Sequence, residues 1–463
     1  MHAPPPPHLD RLTCLPVHAV RCAHVVSVPV GKQVRLSGVR LYRGMRVTFR
    51  WSSGALATTL SRTRAGWIAR VPAGTKAGTV SVTVRDRHLR RSNVKRMRVL
   101  APPPPPQPVT TPAPTGALPA AFTGNGMWIW QLPKSEGGDP AAIGARARAA
   151  GMQTVFVKAG DGTSAWSQFS STLVADLHAQ GLRACAWQFV YGASPVAEAQ
   201  IGAGAVAAGA DCLVIDAESD YEGRYAAAQR YITALRGAIG EDFPVALTSF
   251  PYVDYHPNLP YSVFLAPGAA QVNSPQVYWK AIGGGVDAVS AHTWRENRIY
   301  QAPIAAIGQA YDAPSSTDLA RFRAIWSAWG AGGISWWSWQ SASDATWTAL
   351  SQPAPAPSAP ADPGWPLLKL NAKGDEVIWL QQHLASADAT VPIDGVFGSQ
   401  TDAALRSFQQ RELLPVTGET DPATWQAVLA LPLRSVDWTT GPPASTRSAR
   451  AARAPELPQL GRG

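Results

Sequence analysis

The sequence predicts a multidomain chain with a small all-β sandwich, an α/β barrel of the (β/α)8 type and a small all-α three-helix bundle. Three observations carry this. Residues 25–100 alternate apolar and polar positions in short runs, the period of half-buried strands. Proline-rich stretches at 101–126 and 353–365 break the chain where linkers are expected. Between them, about 225 residues alternate β-like runs with Ala-rich helical stretches, the pattern of repeated βα units and a parallel sheet. At 463 residues the chain has room for about three domains of roughly 150 residues each.

The N-terminal segment 1–24 is Pro-rich at Met1–Pro7 and lacks the basic and apolar regions of a secretory signal. Export is therefore expected to use another route, or the start is truncated. Cys14 and Cys22 lie in a turn-rich stretch and suit a small disulfide loop in an oxidising compartment, with two free thiols as the alternative. Cys185 and Cys212 stand in apolar, strand-like contexts and read as buried small hydrophobes. No apolar run is long enough to span a membrane.

In 25–100 the alternating sets are Val26, Val28 and Val30, then Val34 and Leu36, Val47 and Phe49, and Val80, Val82 and Val84. Gly31, Gly44, Gly54 and Gly74 punctuate them, which predicts an antiparallel sandwich. The segment Val71–Val84 resembles the closing strands of IPT/TIG immunoglobulin-like modules, and that resemblance implies a spacer or adhesion unit. Residues 1–100 carry 19 Lys or Arg against 2 Asp or Glu. Such a basic head favours anionic wall polymers or other polyanions, or is simply a solvated surface, with no specific nucleic-acid signature.

Residues 127–352 hold eight candidate strands, at Met127–Gln131, Thr154–Ala159, Arg183–Phe189, Cys212–Ala217, Val245–Phe250, Val272–Trp279, Ile304–Ala310 and Gly333–Gln340. Helical spacing marks 140–150, 171–180, 195–209, 221–239, 286–298 and 317–329. No Gly-rich phosphate loop follows the first strand, which argues against an open dinucleotide-binding sheet.

In such a barrel the reacting groups close the strands at their carboxyl ends. The run Asp211–Asp220 puts Asp216 and Glu218 two positions apart at the end of the fourth strand, so both side chains point the same way. Two carboxylates so placed divide labour, one ionised and the other held neutral to protonate a glycosidic oxygen. The Asp-x-Glu pair resembles that of family 25 lysozymes and, more loosely, of chitinase-like barrels. By that resemblance Glu218 is the general acid and Asp216 stabilises positive charge or orients the substrate. The first strand, Met127–Gln131, lacks the carboxylate that family 25 enzymes carry there, and Val214 stands where chitinases have a further Asp.

Asp161 and Lys158 are secondary candidates. Aromatic and amide side chains at strand ends suit sugar rings, with Trp128, Trp130, Gln188, Tyr278, Gln309, Tyr311, Trp337 and Trp339 expected to bind substrate. His256 and His292 show no partners at metal-ligand spacing, so neither a metal nor a cofactor is expected.

The last module, 366–430, carries Gly374-Asp-Glu-Val377, Leu380-Gln381, Asp394-Gly395-Val-Phe397-Gly398, Phe408-Gln409, Leu414–Gly418 and Asp421–Trp425. These resemble the type 1 peptidoglycan-binding domain along its whole length, which implies peptidoglycan as the partner. Val377, Leu380 and Leu384, with Ala404 and Phe408, form the apolar stripes of a three-helix bundle. Residues 431–463 are expected to be a disordered basic tail. The chain as a whole is expected to be a secreted, monomeric, wall-associated muramidase-like glycosidase. The alternative is a non-catalytic wall-binding or adhesion protein with a degenerate barrel.

Overall fold

A computed structural model describes residues 5–14, 26–64, 66–100 and 117–440. Cys22, most of the first linker and the tail from 441 onward lie outside the described residues, and so do the expectations made for them. The chain divides into two compact units, 1–110 and 111–463.

The first unit holds two sheets. One orders the strands His8–Cys14, Gln33–Val39, Gly66–Arg70 and Ser61–Thr63. The other orders Ser27–Pro29, Lys95–Leu100, Gly78–Arg85, Arg46–Trp51 and Gly54–Thr59. Their alternating inward residues, among them Leu36, Phe49, Val80, Val82, Val84 and Val99, form one apolar core.

Two details differ from the sequence reading. Ser27–Pro29 pairs in parallel with Lys95–Leu100, so the sheets are not wholly antiparallel. The strand His8–Cys14 belongs to the unit although it precedes residue 25. A register shift between Leu9 and Arg11 puts the buried Leu9 and Leu12 three positions apart, which hides the period of two.

In the second unit eight parallel strands close on themselves. They are β1 Gly124–Ile129, β2 Thr154–Asp161, β3 Arg183–Val190, β4 Leu213–Ala217, β5 Val245–Ser249, β6 Val272–Val277, β7 Ile307–Gln309 and β8 Gly333–Trp337. Each pairs with the next, and β8 pairs with β1. The barrel helices are α1 Pro140–Ala149, α2 Ser171–Ala179, α3 Pro195–Ala207, α4 Tyr225–Ile239, α5 Tyr261–Phe264, α6 Trp279–Ile282, α7 Val286–Asn297, α8 Ser316–Ala328 and α9 Asp344–Leu350. Asp139, Ser170, Ser315 and Ser343 cap α1, α2, α8 and α9 by accepting from backbone N–H groups two or three residues on.

Inside the barrel Trp128, Phe156, Trp187, Val214, Val272, Ile307 and Trp337 fill the lumen. Cys185 and Cys212 lie in this cluster and are joined by a disulfide, their Cα atoms 4.6 Å apart. This corrects their reading as unpaired hydrophobes. The register Ala186↔Leu213 sets the two cysteines level on neighbouring strands, a relation that a separation of 27 residues does not reveal.

Three helices follow, α10 Asp375–Ala387, α11 Ser399–Arg411 and α12 Pro422–Leu429. They do not hang from a free linker. Between β5 and β6 the barrel supplies only the four-residue α5, and α10 packs there. Asp375 of α10 accepts from Ser262 N (2.8 Å), Ser262 Oγ (2.7 Å) and Tyr300 Oη (2.8 Å), while Trp379 Nε1 donates to Ile299 O (2.7 Å).

The connecting stretch is held too. Ser358 N donates to Ala324 O, and the Arg298 guanidinium bonds Asp362 and lies over Trp365. Part of the expected tail is also packed. Trp438 is buried against Tyr225, ring centroids 4.7 Å apart, and its N–H donates to Gln229.

Candidate active site

Along β4 the side chains alternate, with Leu213, Ile215 and Ala217 in the helix-side core and Cys212 and Val214 in the lumen. Asp216 continues the lumenal set, and Glu218 follows two positions on at the barrel's carboxyl end. Both are largely buried yet keep 6% and 8% exposure, so water still reaches them. Gln276, at the end of β6, bridges them, its Nε2 donating to Asp216 Oδ1 (3.2 Å) and Glu218 Oε1 (3.0 Å).

Burial, then the neighbouring charge of Glu218, push the Asp216 carboxyl well above its ordinary range, while Lys158 pulls the other way. A second negative charge in one largely buried pocket is what disfavours ionising Asp216 beside Glu218. Lys158, on β2, is wholly buried. Its ammonium pairs with Asp161 at 2.6 Å and lies 4.3 Å from the Trp166 ring centroid and 5.0 Å from that of Trp187. Tyr191 Oη donates to Asp161 Oδ1 at 2.7 Å. The two secondary candidates therefore form one ion pair beside the acid pair.

Of the expected substrate-binding residues, the structure brings some to the rim and not others. Tyr278 is buried near the acids, whose charges add to the burial that raises its phenol well above the usual value. Tyr311 meets Tyr278 edge-on at 5.5 Å, and Trp130 lies 6.0 Å from the Lys158 ammonium. Among the described residues, Trp130 Nε1, Tyr311 Oη, Gln340 Nε2 and Thr248 Oγ1 have no hydrogen-bond partner. Thr248 stands level with Asp216 on β5.

Trp128 and Trp337 sit deeper, in the lumenal core, and Trp128 Nε1 is taken by Ser335. Gln188 faces the helices. Its Nε2 donates to Gly162 O and Glu198 O, and its Oε1 accepts from Tyr231. Trp187 took the lumenal position on β3, so parity sends Gln188 outward. Gln309 is consumed locally, between Lys280 N and Tyr311 O. Trp339 packs on Trp347 in the helix-side core, beyond the end of β8.

Gln276 bonds both acids, and nothing in the sequence set it apart from the other amides near strand ends. Only the closure of β4 against β6 across β5 singles it out. The two histidines also find partners. His256 bonds Glu222 at 2.8 Å, and His292 bonds Asp254 at 2.8 Å.

Residues 373–428 match the family described as "Putative peptidoglycan binding domain". No curated protein matches the chain. Among solved structures, a chitinase from Chromobacterium violaceum ATCC 12472 is 14% identical, with a TM-score of 0.37, covering 50% of this chain and 98% of that one. A class V chitininase from Pseudomonas fluorescens Pf-5 is 12% identical, TM-score 0.38, covering 49% and 98%. An endo-1,4-beta-mannanase from Rhizomucor miehei is 10% identical, TM-score 0.37, covering 47% and 86%. Likeness at this level carries no argument about the reaction.

Proposed function

We propose that the chain is a secreted cell-wall glycosidase that cleaves the glycan strands of peptidoglycan, held at its substrate by residues 373–428. The observation that carries the reading is the Asp216–Glu218 pair, inward at the barrel's carboxyl end and bridged by Gln276. Glu218 donates its proton to the glycosidic oxygen as the C–O bond breaks, and Asp216 stabilises the positive charge that develops on the sugar ring. Water then adds to the anomeric carbon, giving its proton back to Glu218.

The oxygens that share Gln276 Nε2 lie no more than about 6 Å apart, closer than the gap that admits a water between paired acids in inverting enzymes. Trp130, Tyr278 and Tyr311 supply ring faces for sugars, and the unpartnered Trp130 Nε1, Tyr311 Oη and Gln340 Nε2 supply polar contacts. The family match at 373–428 supports peptidoglycan as the anchor, and anchoring raises the effective concentration of glycan at the barrel. The basic β-unit is read as an immunoglobulin-like spacer that also meets anionic wall polymers.

A zymogram on purified walls tests the reading. The parent should clear, and Glu218→Gln should lose about 100-fold or more of the activity. Clearing that survives the substitution removes Glu218 from the mechanism. A parent that binds walls without clearing them supports the non-catalytic reading, which the first strand's missing carboxylate favours.

A further inference from the structure

Where the module meets the barrel, a group of metal-ligand side chains gathers that the glycosidase reading does not use. His292 and Glu296 stand one turn apart on α7, and Asp254 lies in the 3-10 turn Val253–Tyr255 after β5. One ligand atom from each falls within 4.8 Å of the others. His292 Nε2 is 2.8 Å from Asp254 Oδ1 and 3.8 Å from Glu296 Oε1. Donors bound at about 2.0–2.2 Å to a shared ion stand roughly 3–3.5 Å from one another, so these separations need only small adjustment.

The second observation comes from the other side of the seam. Glu376, in the first turn of α10, is 8% exposed, and its Oε1 has no hydrogen-bond partner among the described residues. Its carboxyl lies beside that of Glu296 across the seam. A buried carboxyl oxygen with no donor, next to a second acid, is the kind of group that a cation satisfies. Arg295 pairs with Glu296, and three acids, Asp254, Glu296 and Glu376, gather there. The Tyr252 ring stacks on His292 at 3.8 Å and fixes its plane, and Asp254 stays exposed, leaving an entry path.

We propose that Asp254, His292, Glu296 and Glu376 form a structural site for a divalent transition-metal cation, zinc foremost, that clamps the helical module to the barrel. The imidazole donor favours such an ion over calcium or magnesium, which take oxygen donors.

Equilibrium dialysis of the full chain against zinc chloride, with metal content measured per chain, tests the site, and thermal melting in the same solutions reads its effect. The expected result is one zinc per chain with a melting temperature that climbs with zinc concentration. His292→Ala and Glu376→Gln should each weaken zinc binding at least tenfold. Glu376→Gln keeps the size of the side chain and offers Glu296 an amide donor, so its metal-free form should melt no lower than the parent. Absence of stoichiometric zinc overturns the proposal, as does calcium binding in zinc's place, or zinc binding that both variants retain. Wall clearing plays no part in these readouts, so the result stands apart from that of Glu218→Gln.

Discussion

Asp216 and Glu218 show how two acids become different when a fold buries them together. Burial, then the neighbouring charge of Glu218, raise the Asp216 carboxyl, so the pair as a whole keeps one proton above the ordinary carboxylate range, and in the proposed cleavage Glu218 delivers it. A raised value means that the pair keeps one proton as pH rises. Cleavage should therefore persist above about pH 4, where free carboxylates ionise, and fall as pH climbs through the raised value. Asp216→Asn removes the repelling neighbour, so whatever activity it retains should lose its alkaline limb at lower pH than the parent. A pH–rate profile of both proteins checks this, and an unmoved limb would separate the two acids. The pair itself was legible in the sequence, because two positions along a strand return to one face. Gln276 was not, since the acids that it bonds lie 58 and 60 positions away in sequence.

Helix α10 illustrates the same divide one level up. Its sequence shows the apolar stripe of Val377, Leu380 and Leu384, which face its own bundle, but every residue from Asp375 to Ala385 is buried. The second buried face holds Asp375, Glu376 and Trp379 against the barrel, and a solvent-facing stripe is what a lone bundle would have there. His383 belongs to this helix. Burial pushes its imidazole down to about 4 although Nδ1 donates to Leu431 O. The unfolded chain binds a proton there near pH 6.5 and the folded chain does not, so this contribution is present above about 6.5 and is lost as pH falls towards 4. His383→Gln should flatten the acid side of the stability curve by about 3 kcal/mol between those limits, measured by urea unfolding at several pH values. An unchanged slope would mean that His383 charges freely in the folded helix.

At the scale of the molecule, the helical module completes the barrel instead of trailing from it. Asp375 satisfies Ser262 and Tyr300, and cutting it back to Ala strands those buried donors. Asp375→Ala should cost about 2–4 kcal/mol and expose the 353–365 segment to limited proteolysis, while wall binding by the released module persists. Equal resistance to protease in parent and variant would show that the docking rests on other contacts. From the sequence alone came the order of the three parts, the eight strands, the three-helix match and the acid pair. All of these depend on local periodicity or short-range spacing, which a linear chain displays directly. The lumenal disulfide, the Gln276 bridge, the outward turn of Gln188 and the docking of α10 were decided by tertiary structure. Each needs the closure of the sheet or the filling of a gap in the helix ring, and only the packed chain sets which distant residues then become neighbours.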